Sequence, residues 1–268
     1  MIVERSRGER VAIAWHDSPS PRATVLVLPA LGVAAAYYAP LAETLSRRGY
    51  AVAAVDHRGN GGSSVRVGRG VDFGYASLVE DTRIVIRSAT APVFVLGHSL
   101  GGHIAALVAA EGEMLAGIAL VASGTPHHER FVASESFWIR LGVAVIPRIA
   151  NLVGYYPGKL LGFGGSEART LMTEWAALAR TGHFVVDGRN RDDDLEAVAL
   201  PVLAVSLDHD WMAPASAVDH LVEKMPHAAV ERVHLSDAPR ETLDHFRWAR
   251  HPAPIVEIVD RWIRALRA

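Results

Sequence analysis

The chain has 268 residues, half of them apolar and 21% charged, which supports one sizeable core and argues against disorder. Its formal net charge is −2 with lysine and arginine spread along the chain, so no basic footprint for nucleic acid or an anionic membrane stands out. Cysteine is absent, which excludes disulfides, thiolate metal sites and a cysteine nucleophile.

Met1 to Arg5 reads as a polar start leading into a strand-like stretch, with no apolar signal region. No apolar run is expected to span a bilayer. The expectation is a soluble, cytoplasmic enzyme without membrane insertion. Residues 12–15 suggest an edge strand. Residues 25–28 form an apolar strand ended by Pro29, and residues 37–48 have helical periodicity with Gly49 as a stop. A second apolar strand, 51–55, leads into the polar loop Asp56-His57-Arg58-Gly59-Asn60-Gly61-Gly62-Ser63. That loop lacks the lysine and the following helix of a phosphate-binding loop, so it reads as a structured turn. Helix 75–89, strand 92–96, helix 104–110 and strand 115–121 follow, and strands 201–205 and 230–235 and a helix near 254–266 close the chain.

Strands that are apolar throughout belong to a sheet covered on both faces, and the strand-helix rhythm makes that sheet mostly parallel and doubly wound. The rhythm breaks between 123 and 199, where helices are expected at 134–145, 149–153 and 167–180. This stretch reads as a helical cap over the C-terminal edge of the sheet, where open α/β sheets place their sites. The organisation is therefore a core first part at 1–122, a cap insertion at 123–199 and a core second part at 200–268.

Gly97-His98-Ser99-Leu100-Gly101-Gly102 sits between a strand and a helix. A serine there occupies a strained turn, lifted above the sheet at a helix N-terminus, with glycines where a side chain would crowd it. Ser99 is the candidate nucleophile, and His98 is read as a packing or hydrogen-bonding residue. The loop Pro29-Ala30-Leu31-Gly32 would supply the second oxyanion donor, so the amides of Leu31 and Leu100 form the expected pair. One such donor is typically worth about 3 kcal/mol.

In this arrangement the acid and then the histidine follow the serine. Asp210 is the expected acid, with Asp208 as the alternative. Of the late histidines, His245 lies in a loop between the last strand and last helix, where a base can come down over the serine. His127-His128-Glu129 hints at a metal. Adjacent histidines usually point apart, so a surface or cap-hinge role is expected there, with no metal. Arg191-Asp192-Asp193-Asp194 reads as a solvated loop. Trp138, Met172, Trp175 and Phe184 are candidates to line an apolar acyl pocket.

With these residues in hand, the chain resembles the α/β-hydrolase superfamily over essentially its full length. More narrowly it resembles a bacterial group related to the serine aminopeptidase-like (S33-type) hydrolases. The resemblance rests on Leu28-Pro29-Ala30-Leu31-Gly32 with Tyr37-Tyr38, on Leu161-Gly162-Phe163-Gly164 with Glu174-Trp175, and on His245-Phe246-Arg247. Pro29-Ala30 replaces the common His-Gly pair, and Asp244 stands where a glycine usually precedes the histidine. The expected function is a serine hydrolase cleaving an ester or thioester of a small apolar acyl group, without cofactor. An acyltransferase or cyclase using the same triad and a non-catalytic small-molecule receptor remain alternatives. The expected partner is a small acyl substrate, with no nucleic acid, and a homodimer is left open.

Overall fold

The computed structural model describes residues 2–4, 8–89, 92–236 and 241–267, so Met1 and Arg5 of the polar start lie outside it. In chain order the first half forms β1 (Ile2–Glu4), β2 (Arg10–His16), β3 (Thr24–Leu28), α1 (Ala39–Arg47), β4 (Ala51–Val55), α2 (Tyr75–Ser88), β5 (Val93–His98), α3 (Leu100–Ala110) and β6 (Gly117–Val121). Between β6 and the next core strand lie α4 (Ala133–Val153), β7 (Tyr155–Pro157), α5 (Gly158–Leu161), β8 (Ser166–Ala168), α6 (Arg169–Thr181), β9 (Val185–Val186), β10 (Arg189–Asn190) and α7 (Asp192–Glu196). The chain ends with β11 (Pro201–Leu207), α8 (Ala215–Val222), β12 (Ala229–Leu235) and α9 (Ala253–Ala265).

The main sheet has the order β1-β2-β4-β3-β5-β6-β11-β12, parallel from β4 through β12 and antiparallel at β1 and β2. The expected edge strand is therefore one position in from the edge, because Ile2–Glu4 adds β1 outside it. Every residue of β3, β4 and β6 is buried, and alternate residues feed two cores. Val25 and Val27 pack with Leu41 and Leu45 of α1 and Val259 and Trp262 of α9. Leu26 and Leu28 pack with Leu78 and Val85 of α2 and Ile104 and Leu107 of α3. A strand enclosed by helices on both faces cannot alternate polar residues, which is why these read as continuous apolar runs.

From β3 the chain crosses to β4 on one side and then to β5 on the other, so the order reverses at β3. Leu28 is in register with Gly97, and the loops after β3 and β5 therefore emerge side by side. Such a switch point leaves a crevice at the strand ends.

The cap segment differs from expectation in one respect that matters later. Residues 134–145 and 149–153 form one helix, α4, running through Pro147. A proline inside a helix forfeits one hydrogen bond, but the apolar face on both sides of it keeps the axis seated on α6, with Ile146 and Ala150 beside Met172 and Tyr156. By length and composition α4 is long and apolar enough to cross a bilayer, with mean hydropathy 1.3, contrary to the expectation that no stretch would be. Its C-terminal end is held to the core, where the Arg69 guanidinium donates to the Val153 carbonyl.

The cap is anchored over α2. The buried Glu174 carboxylate accepts the amides of Tyr75 and Asp187, each at 2.8 Å, and Asp72 accepts from Arg169 and Thr170. The residues expected as a solvated loop at 191–194 instead begin the short helix α7, with Asp192 paired to Lys224 at 2.7 Å and to His183.

Candidate active site

Ser99 ends the turn from β5 into α3 with φ 52° and ψ −117°. A non-glycine residue at positive φ is strained and persists only where its surroundings over-determine it. Here they do. A Cβ on Gly97 would lie 2.5 Å from the Gly101 carbonyl carbon, and one on Gly101 would lie 2.0 Å from the Leu28 oxygen. The turn is thus wedged between its own helix and β3. From the other side the Ser123 hydroxyl donates to the Ser99 carbonyl at 2.7 Å.

Ser99 and Leu100 border a cavity of about 360 Å³ together with Ala30, Leu31, His103, Phe163, Trp175, Trp211 and His245. The cavity lies at the crevice between the loops after β3 and β5 and is roofed by residues 162–164 of the cap. Both expected oxyanion donors, Leu31 and Leu100, belong to its wall.

His245 and Asp210 meet on one side of this cavity. The His245 Nδ1–H donates to both carboxylate oxygens of Asp210, at 2.8 and 2.9 Å, and both side chains are almost fully buried. Asp210 Oδ1 also accepts the Met212 and Ala213 amides at 2.9 Å, which fixes the carboxylate against its own loop. With the proton on Nδ1, Nε2 is left as an acceptor. It is buried and accepts no hydrogen bond among the described residues, from Ser99 included. Ser99 and His245 therefore share a cavity without being bonded to each other. Hydrogen bonds between nucleophile and base are often long before substrate binds and tighten with it.

Asp208, the alternative acid, goes elsewhere. It is exposed and sits 3.2 Å from His234 Nε2 on the neighbouring strand. Asp244 stands where the resemblance leads one to expect glycine. Its side chain accepts the Phe246 and Arg247 amides at 2.9 and 2.7 Å, so the carboxylate itself closes the turn carrying His245.

The loop after β3 has a support that the sequence did not suggest. The Tyr38 hydroxyl accepts the Ala30 N–H at 2.9 Å and donates to His98 Nδ1 at 2.7 Å. The His57 ring nitrogen reaches the Pro29 carbonyl at 3.2 Å. These contacts take the place of the missing His-Gly pair and pin the peptide just before Leu31. The His98 ring in turn packs against His245, Phe246 and Trp248, with ring centroids 5.0, 5.9 and 5.1 Å away. One buried tyrosine and one buried histidine thus connect the loop after β3 to the His245 ring. Burial holds the His98 pKa well below the usual histidine value, with neighbouring His245 acting the same way, so this ring stays neutral. The traces of this in sequence were His98, read as a packing or hydrogen-bonding residue, and Tyr37-Tyr38 at the start of a helix whose inward face is otherwise aliphatic.

On the opposite wall His103 is held at both nitrogens, by the Tyr75 hydroxyl at 3.0 Å and the Gly124 carbonyl at 2.9 Å. Burial lowers its pKa to about 4, which makes it a neutral, fixed part of the lining.

Of the pocket candidates, Trp175 lines the cavity, and Trp138 lines an adjoining groove of about 430 Å³. Phe163, Trp175 and Trp211 border both spaces. Met172 and Phe184 line neither. Met172 fills the interior of the cap, and Phe184 packs edge-on against Tyr75 and His103. Helical periodicity marks which residues turn inward, but both a cap core and a pocket wall lie inward. His127, His128 and Glu129 converge, with ligand atoms within 4.8 Å of one another, where divergence was expected. A tight turn at His128–Arg130 folds the two neighbours together, and none of the three residues is among those that line the Ser99 cavity.

Comparison with known proteins agrees with this fold. A family model described as serine aminopeptidase, S33, matches residues 19–239. The monoglyceride lipase of Rattus norvegicus is 33% identical over 109 residues, 36% of this chain and 33% of that protein. A monoglyceride lipase homolog of Monkeypox virus is 35% identical over 104 residues, 38% of each. In these matches the chain spans little more than a third of the relatives' length. Among solved structures, the esterase EaEST from Exiguobacterium antarcticum superposes with a TM-score of 0.67 at 16% identity, covering 100% of this chain and 99% of that one. Alpha/beta hydrolase domain-containing protein 10 from mouse gives 0.68 at 14% identity, covering 99% and 98%. Fold and sequence together place the chain in the serine aminopeptidase S33 family of α/β-hydrolases.

Proposed function

We propose that the chain is a serine hydrolase for an ester or thioester of an apolar acyl group, with Ser99 as nucleophile, His245 as base and Asp210 as the acid that orients it. The observation that carries this reading is the strained Ser99 in the wall of a cavity it shares with an unpartnered His245 Nε2, whose other nitrogen is fixed by Asp210.

In the reaction, Ser99 Oγ attacks the acyl carbon while its proton passes to His245 Nε2. The carbonyl oxygen becomes an oxyanion facing the Leu31 and Leu100 amides. Collapse breaks the bond to the alcohol or thiol, which leaves with the proton from His245. Water, deprotonated by the same nitrogen, then releases the acid and restores the serine. Asp210 stabilises the imidazolium at each stage and keeps its own charge. The apolar groove beside Trp138, Phe163 and Trp175 supports an apolar acyl chain, and the monoglyceride lipases among the relatives are consistent with that chemistry.

Labelling with a fluorophosphonate tests the reading. The wild type is expected to label and to hydrolyse p-nitrophenyl esters, and Ser99→Ala to do neither. Equal labelling of both proteins, or of neither, would remove Ser99 from the reaction.

A further inference from the structure

Helix α4 is apolar on the side packed into the cap and on an adjoining side left in solvent. Ile146, Ile149 and Ala150 pack into the cap. Phe137, Trp138, Leu141, Val145 and Leu152 follow one another at helical spacing along the other side and stand in solvent. A helix that is apolar all round is ordinarily enclosed, yet only 11% of the most apolar stretch of α4 is buried. Leu160 and Leu161 of α5 and Trp211 extend the exposed surface, with Leu152 and Leu160 about 85% accessible. Contiguous apolar area of this kind on a water-soluble fold marks a surface that docks.

Three features choose the occupant. First, α4 and α5 together carry the cations Arg140, Arg148 and Lys159, all exposed, against the single carboxylate Glu135. Long basic side chains beside apolar ones suit an interface where the chain enters hydrocarbon and the charge meets phosphate. Second, Trp138 and Trp211 are exposed at 67% and 59%, and tryptophan favours the boundary between lipid tails and headgroups. Third, the groove lined by Trp138, Leu141 and Val145 of this face shares Phe163, Trp175 and Trp211 with the Ser99 cavity. The surface that would lie on a lipid is thus the one from which an apolar molecule reaches Ser99. The helix is built into the cap by its packing on α6, so it would lie in the plane of the interface and not cross it.

We propose that the outer face of α4, with α5 and Trp211, docks the chain on an anionic lipid bilayer surface. Docking goes beyond the hydrolase reading and does not depend on it, because it can be measured in a protein that lacks the serine hydroxyl.

The test is flotation of the full chain carrying Ser99→Ala with large unilamellar vesicles of phosphatidylcholine, alone or mixed with phosphatidylglycerol. The protein is expected to float with the mixed vesicles, and its tryptophan emission to shift to the blue and be quenched by brominated lipid. The emission readout needs no surface variant. The double change Phe137→Glu with Leu152→Glu touches neither residue of the cavity walls. It should abolish flotation while leaving hydrolysis of a soluble short ester unchanged in the Ser99 protein. Arg140→Glu and Arg148→Glu should each weaken binding to mixed vesicles by at least about fivefold, the effect of one basic residue near such a surface. Absence of flotation and of any emission change would overturn the proposal. So would a dimer in sedimentation that the Phe137→Glu, Leu152→Glu protein loses without any lipid binding in the parent, which would give the face to a second copy of the chain.

Discussion

Replacing Tyr38 by phenylalanine removes one oxygen and nothing else, and that oxygen holds two buried partners. The Ala30 N–H and His98 Nδ1 are both left inside the protein, with Tyr38 and His98 fully buried and Ala30 2% exposed. An unsatisfied buried polar group costs about 1–3 kcal/mol, so with two such groups the variant should lose about 2–6 kcal/mol of stability. For a chain of this size, at about 2 °C per kcal/mol, that corresponds to roughly 4–12 °C in Tm. The kinetic consequence comes from position. Ala30 precedes Leu31, and a freed Pro29–Ala30 peptide lets the Leu31 amide drift from the oxyanion. Complete loss of such a donor costs about 10²–10³ in kcat, and partial misplacement should cost on the order of tenfold. KM should move little, because the interaction strengthens only as the oxyanion forms. Steady-state kinetics on a p-nitrophenyl ester, well below the variant's Tm, reads both constants. A fall in Tm with kcat unchanged would refute the idea that this tyrosine sets the oxyanion loop.

Exchanging Asp210 for asparagine should lower kcat by on the order of 10⁴, as loss of the orienting carboxylate does in triads generally, whereas Asp208→Asn should leave kcat within about twofold. Gly32→Ala should cost activity without touching the cavity chemistry, since its φ is 73° and a Cβ would meet the Gly165 nitrogen at 2.2 Å, forcing the cap loop off the oxyanion loop; ester kinetics and a melting curve measure both effects. Acid should destabilise the protein: burial lowers the pKa of His57 and His103 to about 4 and holds that of His98 well below its usual value. Below about pH 6.5 the unfolded chain takes up protons that the native chain refuses, and each such histidine adds a slope of about 1.4 kcal/mol per pH unit to the loss seen in urea titrations. Glu167 works the other way, because burial raises its carboxyl to about 7. Between its ordinary value and pH 7 the native chain keeps a proton that the unfolded chain has released, so stability falls as pH rises. Glu167→Gln should remove that slope, and a pH-independent difference between the two proteins would show that the buried carboxyl is not what titrates.

Much of the fold was legible because its determinants are local. The strand at 51–55 and the helix after Gly74 follow from short apolar runs and from periodicity that any window of the sequence displays. The turn at Ser99 was equally plain, since the crowding that demands glycine at 97 and 101 arises within the turn and at the strand beside it. Boundaries that depend on a neighbour were less so. α4 runs through Pro147 because α6 lies beneath it, and β2 is covered by a three-residue strand too short to register as a pattern.

The side chains around Ser99 divide in the same way. The residue types and their order along the chain pointed to Ser99, His245 and an acid near 210 without coordinates. The sequence favoured Asp210 over Asp208 without deciding between them, because the two stand two residues apart on one loop and only the path of that loop sends one to His234 and the other inward. The same holds for Tyr38 reaching Ala30, for Met172 and Phe184 filling cores while Trp175 meets the cavity, and for the outward apolar face of α4. Sequence determines what a residue can do and how its near neighbours fold. Which distant groups it meets, and whether its apolar face ends up covered, is settled only when packing decides which surfaces close on one another and which are left to solvent.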